Sequence, residues 1–483
     1  MLYDLVQCVH RPQMDLFGDP KKRDKISQFV QLLWERGSQF ETEVIDNLAE
    51  EFVSVKGESG SERELLTYEA IRRREPLIYG GRIASGDLLG EPDLLRLEGD
   101  NYVAGDIKSG TGEEDTGSGP RPKTHYGVQL ALYTDILERL GFTSSRCPFV
   151  WDINGDEIPY DLDLSFGKRN PTTLWNIYQD QLALAQQIVA GAGKTVGAYG
   201  SKCKLCHWHS ACTEDLESID DLSLLPDLGR AKRDAIVNTI PTVSALAKTD
   251  INRLIGGKGS PYPGIGEKTL RTLHARAALA TKPNAKPYKT APIPLPQFST
   301  ELFFDIEVDP MRNICYLHGF LERHNGDPKS EKFVYFFAQD TSAAEEERIF
   351  SEALEYIHSN QPCALYFYSK YERTWYRNLQ ERYPSICSSA DIETLFDPAT
   401  AVDLYYDIVK KYTEWPTRDF SIKTLAKYLG FNWRDTDPSG AASIEWFHRW
   451  IETGDSEIRG RILKYNEDDC IATRVLLEGL KTL

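Results

Sequence analysis

Phe303-Phe304-Asp305-Ile306-Glu307-Val308 decides the reading of the C-terminal half. The run is apolar except for two acids at i and i+2, and on a strand such residues share one face. An apolar strand rarely tolerates two carboxylates on one face without a partner cation. Much later, Tyr465-Asn466-Glu467-Asp468-Asp469 lies in a helical pattern with Ile458, Ile462, Ile471 and Val475. Tyr465 and Asp469, four apart, share a helix face. Between the two acidic segments lies Tyr368-Ser369-Lys370-Tyr371-Glu372. Leu302–Val308 and Phe333–Phe337 are expected strands, followed by helices with acidic and aromatic faces. The expected class is therefore α/β.

Upstream, Lys282 to Gln297 holds five prolines in sixteen residues, which reads as a stiff, extended linker. Before it, residues 213–281 read as short helices punctuated by Pro and Gly. Residues 226–290 carry twelve Lys/Arg against four Asp/Glu, a local balance of +8 in a chain of net charge −17. Within this stretch, Pro263-Gly264-Ile265-Gly266-Glu267-Lys268-Thr269-Leu270-Arg271 is similar to a helix-hairpin-helix. Its glycines permit a tight turn, and the next helix offers N-terminal amides to a phosphate. Lys268 and Arg271 add positive charge. Leu225-Pro226-Asp227-Leu228-Gly229-Arg230-Ala231-Lys232-Arg233 reads as a weaker copy. Such turns hold the nucleic-acid backbone without reading sequence.

In the first 212 residues, Gln28–Leu48 and His125–Leu140 have helical periodicity, and 93–97 and 102–108 read as a strand hairpin. Pro92-Asp93 is followed by Asp106-Ile107-Lys108. Asp106 and Lys108 share a strand face, with Asp93 on the partner strand. Two carboxylates can hold a divalent cation, and an adjacent Lys can position water or offset phosphate charge. Gln129 and Tyr133 share one helix face. Ser109–Pro122, rich in Gly, Ser, Thr and acid, reads as a loop.

Three of nine cysteines cluster at Cys203, Cys206 and Cys212. Thiolates so close suit a metal. The spacing leaves open an iron–sulfur cluster, with Cys8 as fourth ligand, and zinc, with His207 or His209 as fourth ligand. Gly191-Ala192-Gly193-Lys194-Thr195 fails as a phosphate loop, because Ile188 stands where its first Gly belongs and a helix precedes it. The sequence shows no other ATP motif. With 483 residues, 41% hydrophobic, 27% charged and net −17, the chain has material for about three domains. That balance excludes a uniformly basic coat. No run suggests a membrane span or secretory signal, so a cytoplasmic location is expected.

Two resemblances cover most of the chain. Asp93, Asp106-Ile107-Lys108 and Gly127-Val128-Gln129-Leu130-Ala131-Leu132-Tyr133 resemble the PD-(D/E)XK nuclease core of the RecB type. This implies a metal-dependent phosphodiesterase using Asp93, Asp106, Lys108, Gln129 and Tyr133. The family completes its metal site from a helix reading roughly Gly-x-x-His-Glu. Here Gly37-Ser38-Gln39-Phe40-Glu41 places Phe40 at the His position, so Glu41, then Glu43, is the expected ligand. RecB-type CRISPR-associated exonucleases and related helicase nucleases also carry one Cys before the core and three after it. Cys8, Cys203, Cys206 and Cys212 match, which implies a 4Fe-4S cluster stapling the domain ends. The C-terminal half resembles the DEDD exonuclease branch of the RNase H-like fold. That implies Asp305 and Glu307 as the first motif, Tyr465 and Asp469 as the third, and Ser369 and Glu372 at the Asn and Asp positions of the second. Asp403 is the rival to Glu372. Mg²⁺ or Mn²⁺ would be held by Glu41, Asp93 and Asp106 in one centre and by Asp305, Glu307, Glu372 and Asp469 in the other.

The expected organisation is a nuclease domain at 1–212, a hairpin segment at 213–281, a linker at 282–297 and an RNase H-like domain at 298–483. The expected activity is exonucleolytic cleavage of nucleic acid, DNA rather than RNA, in repair or defence. A helicase is the candidate partner for the ATP-driven step. Two alternatives stand beside it: an RNA-trimming C-terminal half with a non-catalytic N-terminal adaptor, and a non-catalytic nucleic-acid-binding scaffold.

Overall fold

In the computed structural model, the described residues are 1–115, 119–167, 170–256, 259–436 and 439–483. The chain forms two compact units. One comprises Met1–Gly197 and Ser201–Cys212, the other Ala198–Gly200 and Thr213–Leu483.

The first unit is built on a six-stranded sheet ordered Val53–Ser54, Leu77–Tyr79, Leu94–Glu98, Asn101–Ile107, Phe149–Trp151, Glu157–Pro159. Leu94–Glu98 and Asn101–Ile107 form an antiparallel hairpin across Gly99 and Asp100, and Asn101–Ile107 then pairs in parallel with Phe149–Trp151. A parallel pair requires a crossover connection, and helix Thr124–Arg139 lies on that connection. Its Val128, Leu130, Ala131, Ile136 and Leu137 are buried in the core with Tyr178 and Ile188 of helix Leu174–Val189. Gly105 is dictated by closeness: a Cβ there would lie 2.4 Å from the Phe149 ring. The stretch expected as a loop, Ser109–Pro122, forms a short hairpin, Glu113–Asp115 against Pro120–Pro122. Residues 116–118 of that expectation lie outside the described residues.

The second unit holds a five-stranded sheet ordered Lys332–Phe337, Ile314–His324, Thr300–Asp309, Cys363–Phe367, Ala401–Asp403. The first three run antiparallel, and the last two are parallel to Thr300–Asp309. Strand alternation then sorts the side chains. Leu302, Phe304 and Ile306 pack with Phe350, Ala353 and Leu354 of helix Ala343–Ser359 and with Trp375 and Tyr376 of helix Tyr371–Arg382. Phe303 turns to the other face, with Leu476, Leu477 and Leu480 of helix Ser456–Thr482. Asp305 and Glu307 share the parity of Phe303, so they point toward the helix that carries Tyr465 and Asp469.

Residues 213–281 belong to this same unit. Leu222, Leu225, Ile236, Val243, Leu246, Ile265, Leu270 and Leu273 close a small core of their own. The proline-rich segment, expected as a stiff, extended linker, is also tied into the second unit. Tyr288–Lys289 pairs with Thr413–Glu414, and Ile293 and Leu295 pack on the sheet core. Proline forbids helix there but leaves an extended edge able to add to a strand.

Candidate metal centres

Asp305, Glu307 and Asp469 bring ligand atoms within 4.8 Å of one another, and among the described residues no other set of three or more His, Cys, Asp or Glu does so. Glu307 and Asp469 are buried and Asp305 half-buried. Burial, with Asp469 close by, pushes the Glu307 carboxyl up to about 8. Burial, with Asp469, Glu307 and Glu372 near, lifts Asp305 well above the usual carboxylate range. Asp469 is raised by burial too, although Lys423, Tyr465 and Trp433 oppose the shift. Three carboxylates this close resist ionising together, and a cation would relieve them. This donor set, all oxygen, suits Mg²⁺ or Mn²⁺.

The supporting contacts fix each carboxylate. Trp433 Nε1 donates to Asp469 Oδ1 at 2.7 Å, and Asn466 Nδ2 donates to Asp305 Oδ2 at 2.7 Å. Lys423 Nζ donates to Tyr465 Oη at 2.9 Å, and the Tyr465 side chain bonds Asp469. Ser443, itself 2.8 Å from Tyr316 Oη, bonds Glu307. Lys423, Trp433, Ser443 and Asn466 escaped the sequence reading. Asn466 lay inside the quoted acidic run, and Gly319 was its readable signal. Gly319 pairs with Asp305 across the sheet, and a Cβ there would lie 1.7 Å from Asn466 Oδ1. The other acids of the run turn away, because Arg434 holds both Asp468 (2.8 Å) and Glu467 (2.6 Å).

Glu372 lies outside the tight set but within electrostatic reach of Asp305 and Asp469. It is 3% exposed, burial lifts it well above its ordinary value, and its Oε2 has no hydrogen-bond partner among the described residues. A buried carboxylate oxygen left so is poised for a cation or a proton. Its rival Asp403 is otherwise employed: Oδ1 accepts the amides of Ser369 (3.0 Å), Tyr405 (2.9 Å) and Tyr406 (3.0 Å). Ser369, at the second motif's Asn position, sits at φ +99° and contributes this amide.

In the first unit, Asp93 immediately precedes strand Leu94–Glu98, and Asp106 lies near the end of Asn101–Ile107. Asp93 Oδ2 accepts the Ile107 amide at 2.8 Å, and Lys108 Nζ lies 2.8 Å from Asp106 Oδ2. Burial, then Asp106, pushes Asp93 up to about 7. Burial alone would lower Lys108, but Asp106 and Asp93 outweigh it and hold the ammonium above its ordinary value. Glu41, on helix Gln28–Asp46, accepts from Lys56 and from Tyr79 Oη (3.0 Å), and its charge reaches Asp93. Glu43, the second choice there, is exposed. Phe40 packs into the apolar cluster of Leu77, Leu94 and Phe149. Gln129 Nε2 donates to Tyr133 Oη at 2.7 Å, and Tyr133 Oη donates to the Glu91 carbonyl at 3.3 Å.

Cys8, Cys203, Cys206 and Cys212 are half-buried thiols in no disulfide. Burial raises the Cys206 thiol, while Arg11, Cys8 and Cys203 all lie within electrostatic reach of it. The two ends of the unit are tied locally. Asp15 accepts from Trp208 Nε1 at 2.8 Å and lies 2.7 Å from His207 Nε2, and the Asp24 amide donates to the His207 carbonyl at 2.7 Å.

The two segments read as hairpins share a positive φ ahead of the helix but not the whole turn, since Gly229 lies at φ +63° and Gly266 at φ −75°. Asp227 (φ +60°) and Gly264 (φ +73°) occupy equivalent positions ahead of helices Gly229–Ile236 and Glu267–Thr281. Their surroundings differ. Asp227 binds Arg276 at 3.0 Å and Lys410 at 3.1 Å, so the first copy packs inward. Gly264, Gly266, Lys268 and Arg271 of the second are exposed. Arg271 pairs with Glu267 at 2.9 Å. The local positive balance is only partly surface charge, since Arg233 is buried on Asp221 (2.9 Å) and Arg276 on Glu414 (2.8 Å).

Residues 302–481 match the family model of the RNase H superfamily. No curated protein matches the chain. The C-terminal part of the protein is thus RNase H-like, a fold that points to nuclease-type chemistry on nucleic acid. Among the described residues no helix is long and apolar enough to cross a membrane.

Proposed function

We propose that this protein is a metal-dependent nuclease with two hydrolytic centres, acting as an exonuclease on DNA in repair or defence. The observation that carries the reading is the Asp305/Glu307/Asp469 set, whose ligand atoms lie within 4.8 Å of one another. Divalent cations there would supply transition-state charge stabilisation and a nucleophile at neutral pH. The chain's own groups do the rest. Asp305, Glu307 and Asp469 hold the cations, with Glu372 at the margin. Asn466 and Trp433 fix the orientation of Asp305 and Asp469. Tyr465, bonded to Asp469 and held by Lys423, presents a phenol that orients water.

The second centre rests on Asp93, Asp106 and Lys108, with Glu41 beside them and Gln129 and Tyr133 behind. Antiparallel Leu94–Glu98 and Asn101–Ile107, followed by helix Thr124–Arg139 and a strand parallel to Asn101–Ile107, support the PD-(D/E)XK reading. Cys8, Cys203, Cys206 and Cys212 would hold a 4Fe-4S cluster that staples the unit's ends, a reading supported by the electrostatic reach of Cys8 and Cys203 to Cys206. Exposed Gly264, Gly266, Lys268 and Arg271 are the proposed phosphate-backbone contact.

The test is digestion of end-labelled and circular DNA and RNA, single- and double-stranded, with Mg²⁺ or Mn²⁺, by wild type, Asp106→Ala, Asp305→Ala and the double variant. Each single variant should remove one activity and spare the other. A folded single variant that loses all cleavage on every substrate would reduce the other half to a scaffold. An RNA-only activity abolished by Asp305→Ala alone would favour the RNA-trimming reading.

A further inference from the structure

Strands Cys363–Phe367 and Ala401–Asp403 run parallel and finish together, with Phe367 opposite Asp403. The turns that follow them are tied at one point, because Asp403 Oδ1 takes the amides of Ser369, Tyr405 and Tyr406. Both turns are unusual. Ser369 sits at φ +99° without being glycine, and Leu404–Val409 is a π-helical turn. Strained residues and π turns concentrate at functional sites. What they display is aromatic and basic. The Tyr405 and Tyr406 rings meet at 4.7 Å, and Tyr368 stands 5.4 Å from Tyr405. Lys370 Nζ lies 4.6 Å from the Tyr406 ring centre, and Lys410 Nζ lies 5.4 Å and 5.9 Å from those of Tyr405 and Tyr406. Tyr406 is 38% exposed and Tyr371 46%.

This surface adjoins the carboxylate centre. Tyr368-Ser369-Lys370 leads directly into helix Tyr371–Arg382, whose Glu372 is within electrostatic reach of Asp305 and Asp469. On its other side Lys410 bonds Asp227 of the first hairpin copy at 3.1 Å. The patch therefore spans from the hairpin segment to the cation site within one unit.

We propose that Tyr405 and Tyr406, flanked by Lys370 and Lys410, form a stacking platform for unpaired nucleotides entering the Asp305/Glu307/Asp469 centre. The inference deepens the nuclease reading and rests on it. Every base has a π-face, so a ring can hold a strand regardless of sequence while lysines meet its phosphates. Paired bases inside a duplex hide those faces, so the platform selects single strands over duplex. The bound class is a single-stranded oligonucleotide, and DNA and RNA share the chemistry.

The test measures binding and cleavage separately, on the full chain. Binding of labelled oligo-dT and oligo-U is followed by fluorescence anisotropy without added metal, for wild type, Tyr406→Phe, Tyr406→Leu and Lys370→Ala/Lys410→Ala. Removing one stacked ring should weaken single-strand binding about tenfold, whereas Tyr406→Phe should bind as wild type does. The lysine variant should lower the salt dependence of binding. Weaker binding of oligo-dT only, or of oligo-U only, supports the platform and identifies the sugar it accepts. Unchanged binding by Tyr406→Leu overturns the proposal, whatever the cleavage result. A ring-dependent loss of binding in a protein that cleaves nothing keeps the platform and removes the nuclease reading. Thermal melting of each variant separates loss of the ring from loss of the fold.

Discussion

Replacing Glu307 by Gln should stabilise the metal-free protein at alkaline pH while destroying its cation site. A glutamate carboxyl ordinarily near 4.5 is pushed up to about 8 by burial and by Asp469. The folded state therefore binds its proton more tightly than the unfolded chain does. Stability then falls as pH rises from the unfolded value through the folded one, between about 4.5 and 8. Each tenfold in that equilibrium is worth about 1.4 kcal/mol, so at pH 8 the carboxyl costs the fold about 4 kcal/mol. Glutamine keeps the shape and carries no charge, so Glu307→Gln should recover about 1–4 kcal/mol at pH 8 and nothing at pH 4. In a unit of this size that is several degrees of melting temperature. The assay is thermal unfolding in chelator, wild type against variant, from pH 4 to 8.5. Mn²⁺ should reverse the order at pH 8, because it stabilises wild type by binding the folded state and finds no complete site in the variant. A difference in melting temperature that stays flat across this pH range, or that narrows as pH rises, refutes the electrostatic account.

Gly319→Ala should cost about 1–3 kcal/mol and lower activity, because the new Cβ displaces Asn466 from Asp305; melting temperature and the DNA panel check both. Anaerobically purified protein should be brown with about four irons per chain, and Cys206→Ala should lose iron and destabilise the first unit. Stoichiometric zinc in place of iron would contradict this. Lys268→Ala/Arg271→Ala should weaken binding to all sequences alike and reduce the salt slope by about one to two. An unchanged slope would assign the second hairpin to packing.

Which side chains share a face was legible from sequence. Asp305 and Glu307 at i and i+2 must share a strand face, and Tyr465 and Asp469 at i and i+4 must share a helix face, because backbone geometry alone fixes those relations. The same holds for Asp106 and Lys108. What sequence could not decide was which remote groups converge. Glu372 and Asp403 are both acids near strand ends. Only the packed sheet shows three amides on Asp403 Oδ1 and Glu372 within electrostatic reach of Asp305 and Asp469. Of Glu467, Asp468 and Asp469, only the last belongs to the tight carboxylate set, while Arg434 pairs with the other two. The prolines of 282–297 exclude helix, but pairing with Thr413–Glu414 depends on a strand edge more than a hundred residues away. The basic balance of 226–290 counted charges without their partners. Burial of Arg233 and Arg276 against Asp221, Asp227 and Glu414 turned part of that charge from a binding surface into an internal clasp. Period and residue type are properties of neighbours in the chain, whereas ligand sets and charge partners belong to neighbours in space.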